Sequence, residues 1–305
     1  MAGRLKEKDM FKIGKEFHLT HVVGDLRKVD TWYDDIFAPT RYLHGPVKVA
    51  GRNASLIAIG DLVVEPMEPL RIANPLNLSV TRFHARHGDH LHSVAYYVDN
   101  VPAISQHFET HNIRMWDISG KPVKAPNEKF AIWTHPNQTY GQLEFAFIEP
   151  FTIDPRLQPA WSNEFWRERH PLGIERASHI TTVVRDISAA KKFYCDTLNS
   201  KLIGETETAG RKRSAFVAIG EDTVVELAQP LASDSAEAQD LERHGEGFFG
   251  VTFKTRNLAK ATDFLKSKQL KLEIDGPNMA LGREQAFGMV IGFTERPLPN
   301  DPRIA

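Results

Sequence analysis

Two histidines and two glutamates in the first half of the chain stand in matching surroundings. His18 lies in "FHLTHVV" and His92 in "HLHSVAYYV", each inside an apolar, β-branched run, while Glu65 lies in "LVVEPMEP" and Glu144 in "GQLEFAF". Runs of this kind read as strands. If two strand-bearing units pair about a local twofold axis, the four side chains converge on one cleft. Two imidazoles and two carboxylates suit a divalent first-row metal and leave positions for water or substrate oxygens.

The elements that must position these donors recur along the chain. "FHLTHVVGDLRKVDTWYDDI" near the start is answered far downstream by "SHITTVVRDISAAKKFYCDT". With His18 placed on His179, the pairs Thr20/Thr181, Val22/Val183, Val23/Val184, Asp25/Asp186, Tyr33/Tyr194 and Asp35/Asp196 are also identical. Such a match marks an internal duplication. Each copy opens with a strand, 17–23 or 178–184, and places Asp25 or Asp186 where a helix N-cap belongs. Apolar residues then recur on one helical face: Val29, Trp32, Tyr33, Ile36 and Phe37, or Ala190, Phe193, Tyr194 and Leu198. Paired strands follow, "SLIAIG" with "DLVVEPMEP" and "AFVAIG" with "EDTVVELAQP".

The same unit repeats inside each half. "LHSVAYYVDNVPAISQHFETHNIRM", with Asp99 or Asn100 as cap, leads to "GQLEFAFIEP", and "FFGVTFKTRNLAKATDFLKSKQLKLE" leads to "GMVIGFTERP". The expected fold is α+β: four βαβββ modules forming two cupped mixed-sheet domains, 1–150 and 174–305. A linker rich in Pro and Trp, 151–173, is expected to be ordered, with a short helix packing its tryptophans between the domains.

The phrases "HLTHVVGDL", "WYDDIF", "LHSVAYYVDN" and "GQLEFAFIEP" resemble the repeated signature of the vicinal oxygen chelate superfamily, which includes glyoxalase I, methylmalonyl-CoA epimerase, extradiol dioxygenases and the fosfomycin and bleomycin resistance proteins. The resemblance covers nearly the whole chain apart from the linker and tails. It implies a metal that chelates two neighbouring oxygens of a small-molecule substrate, held by His18, Glu65, His92 and Glu144. The second half departs from the pattern. His179 and Glu226 match His18 and Glu65, but Phe249 stands for His92 and Ile291 for Glu144. Neither side chain coordinates a metal, so the first copy is expected to work and the second to serve as scaffold or pocket wall.

The implied reaction is glyoxalase- or epimerase-like: a lyase or isomerase passing through a metal-stabilised enolate, with Glu144 or Glu65 as base. One divalent metal per chain is expected, Ni, Zn, Co, Mn or Fe. An Fe(II) extradiol ring-cleaving dioxygenase and a non-catalytic binding or resistance protein are the alternatives. His90 is expected to share the face of His92 as a proton carrier, and Tyr140 to hydrogen-bond a substrate oxygen. The rest of "FHARHGDHLH" (His84 and His87) reads as a polar loop at the cleft mouth. His21 belongs on the face opposite His18, and Cys195 reads as buried and inert.

Composition limits the partners. The 305 residues carry a net charge of −1 with interspersed signs, so neither nucleic acid nor a membrane surface is expected. Apolar runs are strand-sized, and the first residues lack a secretory pattern. A single cysteine excludes an internal disulfide and fits a cytoplasmic protein. A homodimer is compatible with all of this. Thirteen histidines are the compositional feature that points toward chemistry.

Overall fold

Each half builds one mixed sheet from two modules laid side by side. The computed structural model describes residues 11–70, 79–127, 130–147 and 153–304. In the first half β1 (Ile13–Val22), α1 (Leu26–Phe37), β2 (Thr40–Val47), β3 (Arg52–Ile59) and β4 (Leu62–Pro69) form one module. A helix, α2 (Ser79–His87), leads to β5 (His90–Val98), α3 (Val101–Thr110), β6 (Met115–Trp116), β7 (Pro122–Val123), β8 (Ala131–Thr134), α4 (Pro136–Thr139) and β9 (Gln142–Phe147). The strand order is β2-β3-β4-β1-β5-β9-β8-β6-β7. β1 runs parallel to β4 and antiparallel to β5, so the first strands of the two modules meet at the centre.

The second half repeats this plan with β10 (Ile174–Val183), α5 (Ile187–Lys192), β11 (Lys201–Thr208), β12 (Lys212–Ile219), β13 (Thr223–Pro230), α6 (Ala236–His244), β14 (Gly247–Thr255), α7 (Leu258–Ser267), β15 (Leu272–Asp275), β16 (Asn278–Leu281) and β17 (Val290–Thr294). Its order is β11-β12-β13-β10-β14-β17-β16-β15. The fold is therefore α+β with two mixed sheets, as the repeats foretold.

The caps fall where the sequence put them. Asp25 accepts from the Lys28 amide, and Asp186 from Ser188 and Ala189; Asn100 rather than Asp99 caps α3. Each cap satisfies an amide that the first helical turn would leave unpaired. One face of each sheet then takes its helices and the shared core. Leu19, Val64, Leu143 and Phe145 join Tyr33 and Phe37 of α1 there, and the same core includes Tyr194, Phe253 and Phe293 of the second half. Alternate residues, His18, Thr20, Glu65 and Glu144, must then face the other way.

The halves meet through reciprocal contacts of a local twofold. The Ala177 amide donates to Asp61 at 2.6 Å, and the Glu16 amide donates to Asp222 at 2.8 Å. Arg156, held by Asp154, donates to the carbonyls of Glu16 and Asp61; Arg303, held by Asp301, donates to those of Ala177 and Asp222. The repeated "DPR" at 154–156 and 301–303 thus clamps equivalent carbonyls once in each half.

The expected linker packs on the first half as well as connecting the two, and its Arg156 reaches Asp222 of the second half at 3.5 Å. Its tryptophans anchor to the first half: Trp161 donates to the Gly60 carbonyl and the fully buried Trp166 to that of Phe37. The helical element near it is one wide turn, Phe165–Arg169.

Candidate metal centre

His18 sits on β1 with its Nε2 between two carboxylates, 3.3 Å from Glu65 Oε2 on β4 and 3.5 Å from Glu144 Oε2 on β9. All three side chains are buried. Burial alone would depress the His18 pKa, but the charge of Glu65 and the hydrogen bond to Glu144 outweigh it, and the net shift is upward. Its Nδ1 has no hydrogen-bond partner. Glu65 is gripped from behind by Arg52 of β3, whose Nη2 lies 3.0 and 3.4 Å from the two carboxylate oxygens.

His92 lines the same cavity, of about 250 Å³, together with Glu65, Glu144, Arg52 and Arg82. It owes its position to a bulge. β1 pairs Thr20 with Ser93 but His21 with Leu91, so His92 is the extra residue. Bulges re-aim side chains in this way beside functional sites. Burial, then the charges of Arg52, His87 and His90, push its pKa down to about 3, which keeps the ring neutral. Nδ1 meets the Ser93 hydroxyl at 3.0 Å, leaving Nε2 for the cavity.

This donor chemistry fits a divalent cation. One imidazole nitrogen already lies between two carboxylates, and a neutral second imidazole stands on the cavity wall. A bound ion would take His18, Glu65 and His92, with Glu144 as fourth donor. Among the described residues, however, the ligand atoms that lie within 4.8 Å of one another belong to a different group, His90, Asp240 and His244. In the first-half pocket the two carboxylates stay farther apart, on either side of His18, and Arg52 holds one of them.

Two expected site residues lie elsewhere. The bulge at His92 breaks the alternation, so His90 does not share its face; His90 turns toward the second half and meets Asp240 at 3.1 Å. Tyr140 adopts a left-handed φ of 55° after α4, and its ring packs against Phe193 of the second half, 5.8 Å between centroids. Neither lines the cavity. The expected polar loop is also a correction: His84 and His87 belong to α2. His21 does face away from His18, buried between the Tyr33 hydroxyl and the Phe287 carbonyl. Burial raises the Cys195 thiol pKa, in keeping with an unreactive side chain.

The second half shows what became of the duplicate. Glu226 is saturated: Ser214, Thr181 and Lys212 all reach it, and His179 lies 3.5 Å away. Burial opposes its charge, but Lys212 and His179 prevail, and its pKa lies well below the carboxylate range. Phe249 occupies the bulge, as expected from the sequence. Ile291 does not hold the place of Glu144. β5 pairs Ala95 with Glu144, and its counterpart Thr252 pairs with Gly292, so glycine stands there and Ile291 is core. The sequence reading slipped by one because the β17 segment is one residue longer between its glycine and its phenylalanine.

Arg52 and Lys212 escaped the sequence reading. Both open the strand before the glutamate, each paired with a proline, Pro69 or Pro230. That repeat was the available signal.

Comparison with known proteins agrees with this architecture. Residues 176–296 match the family model described as Glyoxalase/Bleomycin resistance protein/Dioxygenase superfamily. No curated protein sequence matches the chain. The structure superposes on a mutant of 4-hydroxymandelate synthase from Streptomyces coelicolor with a TM-score of 0.68 and 12% identity, covering 95% of each chain. Methylmalonyl-CoA epimerase from Mycobacterium tuberculosis is 22% identical over 41% of this chain and 90% of its own, with a TM-score of 0.38. Residues 176–296 thus carry the pattern of the glyoxalase/bleomycin resistance protein/dioxygenase superfamily, and the whole chain shares the two-domain fold of its full-length structural match.

Proposed function

We propose that the protein is a divalent-metal-dependent enzyme whose first half binds a small molecule through two neighbouring oxygens and moves a proton on an adjacent carbon. The carrying observation is His18 bracketed by Glu65 and Glu144, two carboxylates that line a cavity of about 250 Å³, a set the second half lacks. A bound ion would supply Lewis acidity to the substrate oxygens. Arg52 fixes Glu65, as partners behind ligating carboxylates do, which suits Glu65 to a ligand's role. Among the described residues no arginine pairs with Glu144, which suits it to take a proton from carbon.

Glu144→Gln should retain metal and lose turnover by about 100-fold or more, the usual scale for a general base. The test is deuterium uptake by candidate carbon acids, 2-oxo thiohemiacetals and acyl thioesters among them, incubated with metal-loaded protein in heavy water. Exchange that depends on Glu144 supports the reading. Exchange unaltered in that variant would contradict it.

A second reading draws on the same Arg52 contact. If Glu65 serves Arg52 alone, His18, His92 and Glu144 remain as two imidazoles and one carboxylate, a facial set for Fe(II). Iron-dependent oxygen uptake with catechols would favour it over proton transfer.

A further inference from the structure

Outside the pocket, a second cluster of donors lies where the halves meet. His90 and Asp240 face each other with Nε2 and Oδ1 3.1 Å apart, and the rings of His90 and His244 have centroids 4.5 Å apart. His90 and Asp240 are buried, and His244 is partly so. His90 comes from the first half, Asp240 and His244 from α6 of the second.

The hydrogen bonds around the cluster fix which nitrogens point inward. His90 Nδ1 lies 2.8 Å from the Leu91 carbonyl, which can only accept, so that nitrogen carries the proton. In the neutral ring Nε2 is then a lone pair aimed at a carboxylate oxygen, a contact that asks for a positive charge between them. His244 is oriented in the same fashion from behind: its Nδ1 meets His87 Nδ1 at 3.0 Å. Metal-ligating histidines characteristically have their second nitrogen engaged in this way.

The repeat explains why the two histidines meet. "RHG" ends both connecting helices, at Arg86-His87-Gly88 and Arg243-His244-Gly245. Both glycines take positive φ, 69° and 85°, and turn the chain away from the helix. His87 and His244 are therefore twofold mates, brought together by the symmetry that docks the halves.

We propose that His90, Asp240 and His244 bind a zinc-class divalent cation that clasps the two halves, with His87 as positioning residue for His244. Two imidazole nitrogens and one carboxylate suit such an ion, and His244 also lines a groove together with His87 and Arg283. Arg283 donates to Asp240 and so competes with the cation for that carboxylate. The site is separate from the pocket: none of His87, His90, Asp240 or His244 lines the cavity of Glu65 and Glu144.

Zinc titration of the full chain, stripped with chelator, tests this in a His18→Ala parent that lacks the pocket's central donor. That parent should still take up one zinc per chain and melt at a higher temperature with zinc than without. Adding His244→Asn or Asp240→Asn should weaken uptake by at least ~10-fold, since losing a ligand costs no less than losing its support. Melting in chelator reports whether each variant folds, and Asp240→Asn keeps an acceptor for Arg283 should His244→Asn fail. Zinc uptake unchanged by both substitutions, or no uptake by the parent, would overturn the proposal.

Discussion

Glu65 and Glu226 began as the same residue and now have different neighbours. Among the described residues Glu65 keeps one oxygen near His18 and receives Arg52, whereas Glu226 receives a lysine and two hydroxyls and has an imidazole beside it. A carboxylate so saturated stabilises the fold. Its pKa is depressed in the folded state, so its contribution is present above the ordinary value of 4.5 and is lost as pH falls below it. Glu226→Gln should leave metal content unchanged and cost roughly 1–3 kcal/mol at neutral pH, less than a wholly buried pair because Lys212 is partly exposed. Denaturant unfolding at neutral pH and at pH about 3 checks this, and the gap between variant and parent should narrow in acid. That His18, Glu65, His92 and Glu144 come near one another was legible in the sequence, because they recur in equivalent phrases. Their basic partners were not, since a single arginine opening a strand looks like any exposed edge residue until its register is known.

At the level of strands and turns, bulges decide what a side chain can do. Both halves carry one near the start of the second module's first strand, β5 or β14, with His92 or Phe249 as the extra residue. Simple alternation therefore misplaced His90, a local register effect that periodicity does not report. The replacement of Glu144 by glycine is likewise built in. A Cβ at Gly292 would lie 2.6 Å from Thr252 Oγ1, so the strands have closed over the old ligand position. Phe249→His with Gly292→Glu should fail to create a second metal site, and Gly292→Ala alone should cost about 1–3 kcal/mol by overpacking. Thermal melting and metal content of these variants decide both points. Turns also carry charge. Asp61 accepts the Ala177 amide, yet burial pushes its pKa up to about 6. Its protonation favours the folded state below about 4, an advantage lost as pH rises through 6. Asp61→Asn should keep the acceptor, raise the melting temperature at pH 8 and flatten the dependence between those values.

The whole molecule is two copies sharing one core, and the imidazole between two carboxylates stands in one of them. The fold was legible from repeats, caps and alternation, because duplication prints the same pattern twice. The docking of the halves was not, although "RHG" recurs in plain view. It shows only when Asp61 and Asp222 are seen to accept amides from the opposite half, and His87 and His244 to face each other. Among the described residues no helix is long and apolar enough to cross a membrane. Since Phe37 packs on Phe253 and both halves enter one hydrophobic cluster, unfolding should be a single calorimetric transition, preserved in His18→Ala.

The asymmetry between the copies is best tested by metal analysis of the native protein beside His18→Ala and His179→Ala, each purified without chelator or affinity nickel. The account predicts that His18→Ala loses one equivalent of metal relative to the parent and that His179→Ala loses none. Equal loss in the two variants, or loss in His179→Ala alone, would contradict the claim that the first copy is the working one.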